Sequence, residues 1–203
     1  KTAFFYTFFN YFWNNFCCFF YCNNFKAFEA DRERSNPMVA ALASHLVEIR
    51  KKNIVKSLSD YHGSEHSQQL VKCINGVEFV DDARSTNVTS VWFALENMTK
   101  PCVWINNINN PEDITEDLIK IISQKVKVIV MQGVYNTEVF NRFAEANADV
   151  RIFAEMNMED AVRQAFYACE KNYVVLYSPG VHGIDHLSYR ERGEKFQDAV
   201  AQL

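Results

Sequence analysis

Residues 74–95 read INGVEFVDDARSTNVTSVWFAL, and the order of residue types in this stretch decides the fold. Asn75-Gly76 sits between two apolar-rich runs, Leu70–Ile74 and Val77–Val80. It is a two-residue hairpin signal, because a tight turn of this kind needs positive φ at both central positions and Asn and Gly tolerate it. The second arm runs into a polar stretch, Asp81 to Asn87. Val88, Val91, Trp92 and Leu95 then recur at helical spacing within a helix expected over Asn87–Met98. The segment is a hairpin, a loop and a helix, with the loop at the carboxyl end of a strand.

Outward from it, strands and helices alternate. Cys102–Ile105 is an apolar strand. Pro111 is placed to open a helix, with Glu112 and Asp113 suiting its N-terminus and Ile114, Leu118, Ile121 and Ile122 along one face. Val126–Met131 is an apolar run of the kind a strand shows when both its faces are covered. A helix near Thr137–Ala146, a strand Val150–Phe153 and a helix Met158–Lys171, with Phe166 and Tyr167 expected in the core, come next. The strand Val174–Tyr177 and a last helix Arg190–Leu203 complete the pattern. This alternation predicts the α/β class: a mostly parallel sheet with helices on both faces. Upstream, Met38–Arg50 carries apolar residues at helical spacing, and a second helical turn ends at Gly63, so a short helical stub precedes the sheet. In open sheets of this class ligands bind beyond the carboxyl ends of the strands. Four loops qualify: Asp81–Asn87, Asn106–Pro111, Gln132–Asn136 and Ser178–Ser188.

Composition separates this body from what precedes it. The chain has 203 residues and a formal net charge of -4, which offers no basic surplus for nucleic acid, so none is expected as a partner. Of its 17 Phe, ten lie between Phe4 and Phe28, and residues 1–37 contain no Leu, Ile, Val or Gly. Asn10, Asn14 and Asn15 sit in the middle of this leader, an unsuitable composition for the hydrocarbon core of a membrane. Three readings stay open: non-native sequence ahead of a start at Met38, a hydrophobic anchor, or a buried aromatic arm. A membrane partner is expected only under the second. Cys73, Cys102 and Cys169 fall in apolar surroundings without metal or redox spacing and are expected to be buried free thiols.

Residues 74–95 also resemble the start of the C-terminal domain of Mur ligases, above all the branch that adds D-glutamate. The family pattern is a strand, then Asn/Asp-Asp-Ser-Lys-Ala/Gly-Thr-Asn, then a helix. Tyr61–Ser67 (YHGSEHS), Tyr177–Pro179 (YSP) and Tyr189–Val200 (YRERGEKFQDAV) resemble three further elements, so the resemblance runs from about Asn36 to Leu203. It implies a Rossmann-like domain that closes over a central ATP-binding domain, where a carboxylate is activated as an acyl phosphate and attacked by an amino acid, with ATP and Mg2+ as cofactors. It implies nucleotide- or substrate-facing roles for Asp82, Arg84, Thr86, Asn87, His66, Asn110, Ser178 and Asp185. The implied organisation is a leader at 1–37, a remnant of the central domain at 38–68, and the C-terminal domain at 69–203.

Departures from the pattern fall in the same loops. Ser67 stands where the family has an Arg facing phosphates, Ala83 replaces the loop Ser, and Asn110 occupies the place of a Lys. Gly183 and Ile184 replace a substrate-binding Ser and a Phe. No G-x-x-x-x-G-K-[ST] phosphate loop occurs in the sequence. Losing one charge-stabilising group typically costs about 10²–10³ in rate, so no ligase activity is expected of these residues alone. The expected role is a cytoplasmic binding or partner module that takes a nucleotide-sugar peptide or a partner ligase subunit. The alternatives are one part of a split ligase and a non-functional truncated paralogue. A more distant alternative, a metal-dependent hydrolase, would use His182, Asp185 and His186. The i,i+4 pairs His62/His66 and His182/His186 each contain a Gly, which argues against a metal-binding helical turn and for exposed loop histidines.

Overall fold

The computed structural model describes residues 43–44, 49–59, 64–133, 136–146, 149–182 and 186–203. The leader, the N-terminal start at Met38 and most of the helix expected over Met38–Arg50 lie outside them. The chain divides into two compact units, Lys1–His62 and Gly63–Leu203. In the first, α1 is Lys51–Ser59. The second begins before residue 69, so Ser64–Gln68 belongs with the sheet and not with the helical stub.

The second unit holds β1 (Gln69–Ile74), β2 (Val77–Asp81), α2 (Val88–Glu96), β3 (Cys102–Asn106), a 3-10 turn (Pro111–Asp113), α3 (Glu116–Lys125) and β4 (Val126–Gln132). It continues with α4 (Thr137–Ala146), β5 (Arg151–Glu155), α5 (Met158–Ala168), β6 (Val174–Tyr177) and α6 (Tyr189–Ala201). The six strands form one sheet in the order β1-β2-β6-β3-β4-β5. Only β1 is antiparallel, paired with β2 through the Asn75-Gly76 turn, whose φ values are 52° and 84°. β2, β6, β3, β4 and β5 run parallel.

Period-two alternation of apolar side chains builds a core on each face. Trp104, Ile129 and Leu176 point to one face, under Val91 and Leu95 of α2, Leu118 and Ile122 of α3, and Phe143 of α4. Val103, Ile105, Val130 and Tyr177 point to the other, under Val162 and Ala165 of α5 and Phe196 and Val200 of α6. All five residues of β3 are buried, which is why the strand reads as an unbroken apolar run.

Three local expectations need correction. Pro111 starts a 3-10 turn, not the helix: Asn110 caps that turn, and a second cap, Thr115, starts α3 one turn later. Two cap residues five positions apart split a segment whose apolar spacing suggested one element. Tyr167 is 76% exposed, because α5 turns it away from the core while Phe166 packs partly against Phe79. Of the thiols, Cys102 is buried, Cys169 half-buried and Cys73 exposed on the sheet edge strand. Burial pushes the Cys169 thiol up to about 12 and raises Cys102 further, so both stay protonated near neutrality. Peptide mapping after a short alkylation pulse is expected to find Cys73 modified first and Cys102 protected; early labelling of Cys102 would contradict the packing of β3. No helix among the described residues is long and apolar enough to cross a membrane.

Candidate functional site

Because β2, β6, β3 and β4 are neighbours and parallel, their carboxyl ends lie side by side. The four loops singled out in the sequence therefore open on one edge of the sheet, and backbone bonds stitch three of them together. Asn107 donates its N–H to Pro179 O at 3.0 Å, Gly180 donates to Ser85 O at 2.9 Å, and the Trp104 indole donates to Ser178 O at 2.9 Å.

Asp82 and Ser178 meet across β2 and β6. The Ser178 hydroxyl donates to Asp82 Oδ2 at 2.8 Å, and the Gln68 N–H donates to Asp82 Oδ1 at 3.2 Å. Both residues are buried. Asp81 beside them is fully buried and accepts three donors: His66 Nδ1 at 2.7 Å and Gln197 Nε2 at 2.8 Å on Oδ2, and the Ala83 N–H at 3.0 Å on Oδ1. His66 is thus not an exposed loop histidine. It is 5% exposed, at φ 59°, held on the sheet by Asp81, with its carbonyl accepting the Arg84 N–H.

The remaining residues of the first loop do different things. Arg84 is exposed and stands over the Tyr189 ring, 5.6 Å from its centroid. Asn87 caps α2, accepting the Ser90 N–H at 2.9 Å. Asn110 is exposed and spends its side chain on the Glu112 N–H, which is turn chemistry. His182 and His186 are both exposed, while His62 and Asp185 lie outside the described residues. No group of three His, Cys, Asp or Glu able to hold a metal occurs among the described residues.

Further polar residues at this edge are buried or paired in ways the sequence reading did not give. Asn106 and Arg192 are buried, and Asn106 Nδ2 and Arg192 Nε and Nη2 meet no partner among the described residues. Arg192 donates through Nη1 to Val181 O at 3.4 Å. Asn107 donates to the Gln132 carbonyl and accepts from the Tyr177 hydroxyl. Gln197 lies one turn beyond Gly193 on α6; that i,i+4 spacing was the available signal, since a glycine inside a helix often marks a close approach.

Asp81 and Asp82 are occupied by internal donors, so these two carboxylates do not fit a Mg2+ site. Arg84, Tyr189 and His66 suit a ring or sugar with polar edges; nothing among these residues forms a backbone cradle for a nucleotide's phosphates.

No family model matches the chain. By sequence it is similar to the UDP-N-acetylmuramoylalanine–D-glutamate ligase of Christiangramia forsetii, 32% identical over 178 residues. That match takes in 87% of this chain and 40% of the relative. The ligase of the same name from Bacteroides thetaiotaomicron is 33% identical over 172 residues, 83% of this chain and 38% of its own length. Among solved structures, UDP-N-acetylmuramate-alanine ligase from Thermotoga maritima superposes with a TM-score of 0.62 at 10% identity, over 86% of this chain and 39% of that one. At that identity the superposition speaks for the fold alone. The chain spans about 40% of the length of the relatives it matches. The sheet order, the motif loops on its carboxyl edge and a third of the residues held in common make the chain a homologue of the Mur ligases, with the fold of their C-terminal domain.

Proposed function

We propose that the chain is a binding module of Mur-ligase type, facing nucleotide and amino-acid-bearing substrate in the cytoplasm and depending on a separate ATP-binding domain for any ligase chemistry. The observation that carries this reading is the shared edge: Asp82 and Ser178 are locked together beneath it, and Arg84, Tyr189 and His66 form one surface beside them. A guanidinium on an aromatic face is held in place without being neutralised, so Arg84 keeps donors for an anion or a carbonyl. Buried acceptors beneath the loop keep it rigid and reduce the entropy lost when a ligand binds.

Calorimetric titration of the full chain with ADP, UDP-N-acetylmuramoyl-alanine and D-glutamate, each alone, tests the reading. Saturable binding of at least one is expected, weakened about tenfold or more by Arg84→Ala, as loss of a charge-assisted hydrogen bond worth about 1.5–3 kcal/mol implies. Silence toward all three, with no copurifying subunit, favours the truncated paralogue. One observation supports that second reading: Asn110, where the family pattern has a lysine for substrate, is committed to capping its own turn.

A further inference from the structure

The Asp81–His66–Gln197 cluster carries an inference beyond the loop chemistry. Asp81 is fully buried and, as a carboxylate, can only accept hydrogen bonds. His66 Nδ1 lies 2.7 Å from Asp81 Oδ2, and Gln197 Nε2 lies 2.8 Å from the same oxygen. An acceptor-only atom at that distance requires a proton on Nδ1. Gln197 Nε2 also donates to that oxygen and lies 3.4 Å from His66 Nδ1, so these two nitrogens are neighbouring donors to one acceptor rather than partners of each other. Asp81 Oδ1 is taken by the Ala83 N–H, so the carboxylate cannot rotate away. The ring itself cannot tilt, because α6 lies against it: a Cβ on Gly193 would fall on Nδ1, with Cε1 at 2.7 Å and Cγ at 2.8 Å.

Nε2 has no partner among the described residues. The imidazole stands edge-on to Tyr189, centroids 6.3 Å apart, and Arg84 covers the Tyr189 ring. Among the described residues, Arg84, Tyr189 and the exposed Glu65–Arg190 pair, 3.5 Å apart, are titratable groups beside this surface.

We infer that Asp81 and Gln197 are positioning residues that hold His66 in its neutral Nδ1–H tautomer, leaving Nε2 as a fixed hydrogen-bond acceptor for an amino or hydroxyl group of a ligand at the Arg84–Tyr189 surface. What Nε2 meets rests on the binding-module reading; the tautomer does not. A histidine whose second nitrogen is addressed by a carboxylate has its orientation and tautomer set by that partner. The acceptor is therefore prepared before any ligand arrives. Gln197 acts only through Asp81.

The test is histidine-selective 15N labelling of the full chain and multiple-bond proton–nitrogen correlation at neutral pH, with the His66 signals assigned by their loss in His66→Gln. The neutral Nδ1–H form is expected to exceed the other tautomer by about tenfold or more, the ratio implied by one charge-assisted hydrogen bond. Asp81→Asn is expected to abolish that preference. Gln197→Glu, which sets a second carboxylate against Asp81 Oδ2 so that the two must share a proton, is expected to weaken that preference. If Asp81→Asn does not fold, as judged by circular dichroism, Gln197→Glu decides alone. An Nε2–H tautomer in the unaltered chain, or a His66 spectrum unmoved in a folded variant, overturns the inference. Adding ADP separates the two claims. A shift of Nε2 with Nδ1 still protonated is the bound state expected, whereas no response to ADP, UDP-N-acetylmuramoyl-alanine or D-glutamate overturns the ligand-facing role and leaves the tautomer result standing.

Discussion

Trp104→Ala is expected to destabilise the protein by about 4 kcal/mol, a large part of the roughly 5–15 kcal/mol that holds a domain of ordinary stability together. Three terms act in the same direction. Trp104 is fully buried in the middle of β3, so truncation removes the transfer energy of a whole indole and leaves a cavity that the flanking strands, β4 and β6, cannot collapse into. It stands edge-to-face on Phe143 of α4, centroids 5.9 Å apart at 88°, an arrangement that typically adds about 1 kcal/mol to area burial. Its indole N–H satisfies the carbonyl of Ser178, the residue whose hydroxyl braces Asp82. The substitution thus reaches the candidate site through one backbone oxygen. Urea unfolding followed by circular dichroism measures the effect. A loss below about 1.5 kcal/mol would mean that the core relaxes around the gap far more than close packing allows.

Gly193→Ala is expected to cost about 3 kcal/mol, against the general rule for helices. Glycine in a helix interior is usually less stable than alanine by about 1 kcal/mol, so an ordinary α6 would gain from this change. Here the new methyl enters the His66 ring. His66 cannot give way without breaking its bond to the buried Asp81, and overpacking of about 1–3 kcal/mol adds to the cost of leaving that buried carboxylate one donor short. His66→Ala in the Gly193→Ala background should recover much of the overpacking loss, and the double-mutant cycle reads the coupling directly. A stabilised Gly193→Ala protein would refute the packing of α6 on His66.

The legible and illegible parts of this protein divide along a physical line. Periodicity reports how many faces of an element are covered, so the apolar runs at Cys102–Ile105, Val126–Met131 and Val174–Tyr177 marked the central strands within a residue or so. Asn75-Gly76 marked the turn because its two positive φ values suit few other residue pairs. Polar residues are less readable, since an Asp or His has the same letter whether it faces water, a ligand or another side chain. Arg84 and Asn87 were placed at the site edge by motif position, but the motif could not show that Asp82 is tied to Ser178, residues far apart in the chain. Nor could it show that His66 is buried, because its partners arrive from β2 and from the last helix.

The amino-acid sequence alone therefore determined the α/β class, the succession of strands and helices along the chain and which loops follow the parallel strands, since these follow from local spacing and from where parallel strands end. Only the tertiary structure decided which polar residues are committed to one another. Asp81, Asp82, Ser178, His66 and Gln197 become a single braced unit because β6 inserts between β2 and β3 and α6 folds back over Ser64–Gln68. That insertion brings chain-distant donors onto buried carboxylates, where an unmet partner would be costly. Arg84 and Tyr189 are what remains at the surface beside this braced unit.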